Sequence, residues 1–230
     1  MDNLYLVMIE ILSAALAFIL VRFMIKPYRI TGENRYLCLP LGFAFLGIST
    51  ILMGASLFFA DSSISEKLKW LQLFTGSYAF VFLAVTYFLS GRKYERKMRP
   101  LANALISLML LALVFLFIVL FLPPVFALPD FKTADEYFRL FNMILALYIT
   151  VHTLRSHASQ PEPRTILAPL AYALLAFSQY SFLIWSLDSS FAAFAGGHFI
   201  RIASLLAFLF VSYKSIIAPQ DATRQSSDLE

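Results

Sequence analysis

The sequence predicts an all-α membrane protein of seven transmembrane helices, with the N-terminus outside and the C-terminus in the cytoplasm. Three observations carry that reading. The 230 residues are 60% hydrophobic and 14% charged, with a mean hydropathy of +0.76, too apolar for a soluble domain of this size. Seven apolar stretches reach or approach the roughly 20 residues of helix that a bilayer core about 30 Å thick requires. The basic residues gather in alternate loops, as they do where cytoplasmic and external loops take turns.

The first span, 4–25, rests on the run Leu4–Val21, interrupted only by Glu10. It lacks a basic segment before it, is too long for a signal-peptide core and is followed by basic residues, so it reads as a retained helix. Spans 37–60 and 69–90 rest on the uncharged runs Tyr36–Ala60 and Trp70–Gly91. The fourth, 101–122, lies in Pro100–Pro129. Pro123-Pro124 and Pro129 end it, because proline has no N–H to give the helix and stiffens the connection after it. The next loop, Asp130–Glu136, is the most polar external one, and Phe126, Phe131, Tyr137 and Phe138 beside it read as an interfacial belt, with a binding role as the alternative. The fifth span, 136–154, carries Arg139 near its start. The sixth, 166–187, is uncharged. The seventh, 192–214, carries His198 and Arg201, with Gly196-Gly197 expected to loosen its beginning. Residues 1–216 form one seven-helix domain, and 217–230 read as a flexible cytoplasmic tail.

Orientation follows from charge. Arg22, Lys26, Arg29 and Arg35, then Arg92, Lys93, Arg96, Lys97 and Arg99, then Arg155, Arg164, Lys214 and Arg224 fall on one side, thirteen in all. The opposite loops hold four: Lys67, Lys69, Lys132 and Arg139. Asp61, Glu66, Asp130, Asp135, Glu136 and Asp188 accompany those four. This bias places the chain as a multi-pass protein of the cell membrane. The net charge of +4 is explained by these flanks, so no nucleic-acid partner is implied. The single cysteine, Cys38, excludes an internal disulfide.

Helices 1–3 and 5–7 then run in the same directions, and the sequence hints at a three-plus-one-plus-three duplication. Helix 2 opens Pro40-Leu41-Gly42-Phe43-Ala44-Phe45-Leu46-Gly47-Ile48-Ser49. Helix 6 opens Pro169-Leu170-Ala171-Tyr172-Ala173-Leu174-Leu175-Ala176-Phe177-Ser178. Proline in a first helical turn starts a helix without losing a hydrogen bond. Ile11-Leu12 to Arg22 and Ile144-Leu145 to Arg155 keep equal spacing in helices 1 and 5.

Ionisable groups inside a membrane are costly and face the bundle or water. Glu10 lies about two turns into helix 1. His198 and Arg201 lie in the matching half of helix 7 and share a face with Ser204 and Ser212. Glu10 is expected to pair with Arg201, with His198 on the same wall, adding a response to external pH between about 5 and 8. Gln72, Asn142 and Gln179 extend this polar set, Tyr172 lies deeper on helix 6, and Trp185 lies nearer its outer end, where the interfacial belt explains it equally well. Together they suggest a ligand cavity open to the outside, although each polar group would also serve as a bond between helices worth about 0.6 kcal/mol.

Catalysis is not expected. The three histidines, His152, His157 and His198, split between the two ends and cannot complete a three-ligand zinc site or hold one haem. No metal or other cofactor is implied.

The bundle resembles three groups. Trp70-Leu71-Gln72-Leu73-Phe74-Thr75 is loosely similar to the third helix of the microbial rhodopsins. Their chromophore needs a lysine midway along helix 7, and Ile202–Ser212 has none. The sugar-transporting three-plus-one-plus-three family is matched only by Pro40 and Pro169. The stretch Gly197-His198-Phe199-Ile200-Arg201, with its apolar run to Tyr213, resembles the last helix of membrane sensor domains in prokaryotic signal-transduction proteins. That resemblance implies a receptor-like module that binds a small ligand from outside and reports to a cytoplasmic signalling partner or a fused output domain. The alternative is a small-solute transporter. The bilayer is a partner on either reading, and an oligomer stays open.

Overall fold

The computed structural model describes residues 2–31, 37–60, 63–90, 104, 107–114, 118, 130–159 and 166–227. The chain there is helical apart from short turns: α1 (Asp2–Thr31), α2 (Cys38–Phe58), α3 (Ser63–Ser90), a helical stretch α4 at 107–114, α5 (Phe131–Ser159), α6 (Leu167–Asp188) and α7 (Phe191–Ser227). Six of these, all but α4, are long and apolar enough to cross a membrane. Leu4, Phe18, Ile51, Leu147 and Phe199 are among the large apolar side chains on the outside, a surface suited to lipid rather than water. The protein is an all-α chain built to sit in a bilayer. The basic loop Arg92–Arg99, the stop at Pro123-Pro124 and Pro129, most of the fourth span, Arg35, Asp61, Arg164 and residues 228–230 lie outside the described residues.

The six long helices close into a ring. Each packs on its neighbours in chain order, α3 meets α5, and α1 meets α7. Leu20, Phe43, Phe80, Leu83, Leu175, Leu205 and Phe208 fill the middle, all at most 2% exposed. Phe208 stands edge-on to both Phe43 and Tyr172, with centroids 5.2 and 4.5 Å apart. Serine hydroxyls stitch hairpins together: Ser49 donates to the Gln72 carbonyl at 3.0 Å between α2 and α3, and Ser178 to the Gly197 carbonyl at 2.8 Å between α6 and α7. Ser204 adds a second α6–α7 bond, donating to the Ala171 carbonyl at 2.8 Å. Pro40 and Pro169 each stand third in their helix, where their missing N–H has no intrahelical partner to lose.

Four helices depart from their expected bounds, α1 by running to Thr31, past 25, with Pro27 inside it. α5 begins at Phe131, five residues before 136, so the supposed loop Asp130–Glu136 is helix after its first residue. Asp130 is the reason: its Oδ2 accepts from the Thr133 amide at 3.1 Å and the Thr133 hydroxyl at 3.2 Å, capping the new helix. α3 likewise starts at Ser63 rather than 69. α7 runs through Gly196-Gly197 without a break and continues to Ser227, well past 214. The glycines do not loosen its start. A Cβ on Gly197 would fall 2.8 Å from the Phe182 ring, so that glycine lets α6 and α7 approach. Ser189, in the left-handed region at φ 55°, ends α6 by donating its amide to the Trp185 carbonyl at 2.8 Å, which makes the turn into α7 very short.

A buried charge cluster between α1, α5, α6 and α7

The ring brings charged groups from three helices together near the end where α1, α5 and α7 begin. Glu10 on α1 is wholly buried. On α7, His198 and Arg201 are 2% and 7% exposed. Gly54 on α2 lies against Glu10: a Cβ there would stand 3.4 Å from the Glu10 Cβ, at ordinary van der Waals contact. The Arg201 Nη2 donates to Glu10 Oε2 at 2.6 Å, and lies 2.9 Å from His198 Nδ1 and 3.4 Å from Ser13 Oγ. Ser13 spends its own hydrogen on the Ile9 carbonyl, so its oxygen is free to accept.

That geometry fixes the histidine proton. A guanidinium only donates, so Nδ1 accepts and the neutral ring carries its hydrogen on Nε2. Glu10 Oε1 lies 3.3 Å from the same Nδ1, within ion-pair distance, yet it has no hydrogen-bond partner. The two facts agree once Nδ1 is an acceptor: the contact is then between two lone pairs held together by Arg201, and it becomes an ion pair only if Nδ1 gains a proton.

A second pair stands beside the first. Arg139 Nε donates to Asp135 Oδ1 at 3.1 Å, one turn apart on α5, with both residues buried. Phe182 on α6 joins the two pairs. Its ring centroid is 5.0 Å from the Arg139 Cζ and 5.5 Å from the Arg201 Cζ, so both guanidinium groups lie within cation–π range of one ring. Phe182 and Phe194 both stand edge-on to His198, at 4.9 and 4.4 Å, and Trp185 lies 4.7 Å beyond on Phe194. Five side-chain atoms near this end are buried with no hydrogen-bond partner among the described residues: Glu10 Oε1, His198 Nε2, Arg201 Nε, Asn142 Oδ1 and Gln179 Oε1.

Of the eight residues singled out from sequence, the structure unites Glu10, His198 and Arg201. Asn142 and Gln179 are buried on the adjoining α5 and α6, and Trp185 forms the second aromatic layer. Gln72 is buried on α3, and its main-chain carbonyl takes the Ser49 hydroxyl of α2. Tyr172 belongs elsewhere: it accepts a hydrogen bond from Tyr87 at 3.0 Å toward the far end, where Tyr87 also lies against the His152 ring. Sequence reasoning missed the Asp135–Arg139 pair: it left Asp135 in the loop and tallied Arg139 with the loop charges although it fell inside the fifth span. Both are buried on a helix that starts earlier than expected, and their spacing of four was the available signal. Phe182 and Phe194 gave no signal, being two of 24 phenylalanines. No protein-family model, curated protein or solved structure matches the chain.

Proposed function

We propose that the chain is a receptor-like sensor module of the cell membrane, in which the Glu10–Arg201–His198 cluster receives a small ligand or signal and α7 carries it to the cytoplasm. The observation that carries this reading is the buried Arg201–Glu10 bond of 2.6 Å, with unmet hydrogen-bonding atoms directly beside it. Burying those atoms unmet is unfavourable, so whatever satisfies them shifts the balance between a closed and a parted α1–α7 contact. Helix α7 runs unbroken from His198 to Ser227 and so can transmit a displacement along its length.

The thirteen-to-four distribution of basic residues supports an external N-terminus, which makes the cluster face outward. The fourth apolar stretch, 101–122, supports a seventh span. The matched hairpin arrangement of α1–α3 and α5–α7, with Ser49 and Ser178 each donating to the following helix, supports the duplication. A transporter needs a polar path through the bilayer. The apolar layer of Phe43, Leu175, Leu205 and Phe208 lies where that path would run, which favours the sensor. No catalytic role is proposed.

Spin labels at the exposed Arg22 and Lys214 test the reading. In Glu10→Gln or Arg201→Gln protein that still folds, the distance distribution should shift by about 2 Å or more, the scale of helix shifts in switching proteins. An unchanged distribution would break the link between cluster and output. Cysteines at Ala60 and Lys93 test orientation: an impermeant reagent on whole cells should label the first and spare the second.

A further inference from the structure

Taking that cluster as the receiving site, we infer that its ligand is a small uncharged molecule presenting a hydrogen-bond acceptor and donor side by side, of the carboxamide or un-ionised carboxylic acid class. The unmet atoms set the pattern. Arg201 Nε and His198 Nε2 are buried donors, and Glu10 Oε1 is a buried acceptor, all three within one interacting triad. A group of the form C(=O)–XH answers one of each kind together: its carbonyl oxygen accepts from Arg201 Nε and its X–H donates to Glu10 Oε1, while His198 Nε2, on the edge of the ring away from Nδ1, is left for a second acceptor. An alkylammonium, which only donates, leaves Arg201 Nε and His198 Nε2 unmet. A carboxylate, which only accepts, sets an anion against Glu10.

Charge gives the same answer independently. Glu10 balances Arg201 and Asp135 balances Arg139, with His198 neutral and no acidic or basic side chain on the adjoining stretch of α6, where Gln179, Tyr180 and Phe182 stand. A neutral ligand preserves that balance, whereas an ion leaves one net charge in a low-dielectric interior. Phe182, Phe194 and Trp185 supply an apolar wall for a short hydrocarbon tail. Asn142 and Gln179, each with a buried unpaired carbonyl oxygen, stand on the adjoining helices for the second N–H of a primary amide.

Thermal unfolding of the whole chain in lipid nanodiscs reads this out. Propionamide should raise the melting temperature by several degrees at any pH at which the protein is folded. Propionic acid should do so only as the pH falls and its neutral form accumulates, judged against protein at the same pH without the acid, which separates the two members of the class. Propylammonium should have no effect. Arg201→Lys keeps a cation for Glu10 but lacks the Nε–H, and should abolish the propionamide shift; Glu10→Leu, which removes the acceptor, provides the same test should the lysine variant not fold. A shift with propylammonium or ionised propionate instead overturns the ligand class and leaves the sensor reading standing, because that reading is tested separately by the α1–α7 label distance. A shift that survives both variants, or no shift with any of these probes, means that water alone fills the site and overturns the inference.

Discussion

The two buried ion pairs differ in what they hold. Asp135 and Arg139 stand one turn apart on α5, and their bond of 3.1 Å moves with that helix as a unit. Glu10 and Arg201 are 191 residues apart, and their bond of 2.6 Å is made only when α1 and α7 close the ring. The first is a local bond that α5 could form before the bundle assembles. The second is a tertiary contact, and losing it frees one helix from another. Two pairs of similar chemistry beside the same phenylalanine therefore have different consequences: one shapes a helix, the other decides whether the ring is shut.

The sharpest way to break this comparison is to remove a single partner. Arg201→Gln leaves Glu10 buried with no cation on its own side of Phe182, and breaking a buried pair in this way typically costs about 3–5 kcal/mol. Denaturation titrations in detergent micelles should show that loss. The double variant Glu10→Gln with Arg201→Gln should recover a large part of it, because neither side then carries an unpaired charge. Additive losses would mean that the two side chains stabilise the bundle separately, and the ring closure would then rest on packing alone.

Next in size is the seam between α6 and α7, where adjacent glycines provide their own control. A Cβ on Gly197 would meet Phe182 at 2.8 Å, whereas one on Gly196 meets nothing within 4 Å. Both substitutions gain about 1 kcal/mol of helix propensity. Only Gly197→Ala also pushes on the ring shared by the two guanidinium groups, an overpacking strain of about 1–3 kcal/mol. Gly196→Ala should therefore stabilise the protein and Gly197→Ala should not. Equal effects would show that Phe182 yields freely and is not a fixed wall of the cluster.

How much the sequence reveals depends on how strongly the bilayer constrains each feature. Helix number and rough bounds are legible because apolar length is local information, visible along one stretch of chain. Glu10 with Arg201 is legible because charges amid apolar residues are costly enough to demand each other. Asp135 and Arg139 escape notice for the opposite reason: they lie near a polar end, where charge is ordinary, and the helix start rests on a single cap by Asp130. Helix face alone puts Tyr172 with the site, but its hydroxyl lies with Tyr87, because a face extends the length of a helix and depth decides which neighbours meet. Phe182 is illegible, since nothing in composition separates a phenylalanine between two arginines from one facing lipid.

The local pair offers a smaller test. Arg139→Gln leaves Asp135 in the second turn of α5, nearer its helix end than Glu10 is on α1, and a charge near a helix end costs less than one deeper in a span. The loss should be about 1–2 kcal/mol, well under that for Arg201→Gln, and labels at Arg22 and Lys214 should keep their native separation. A shift in that distance would show that the α5 pair also takes part in closing the ring.

The smallest effect is expected farthest from the cluster. Tyr172→Phe removes the acceptor of the Tyr87 hydrogen bond but keeps the ring that packs 4.5 Å from Phe208. Bonds between transmembrane side chains average about 0.6 kcal/mol, because the unfolded chain in the membrane also finds partners, and a loss near that size is expected in the same titrations. The more telling readout is the propionamide shift. The layer of Phe43, Leu175, Leu205 and Phe208 fills the core around Tyr172, and none of the contacts of its hydroxyl reaches Glu10, His198 or Arg201. The shift should therefore survive Tyr172→Phe in full. Its loss would put Tyr172 back in the ligand site, and would mean that the apolar layer opens when the ligand binds.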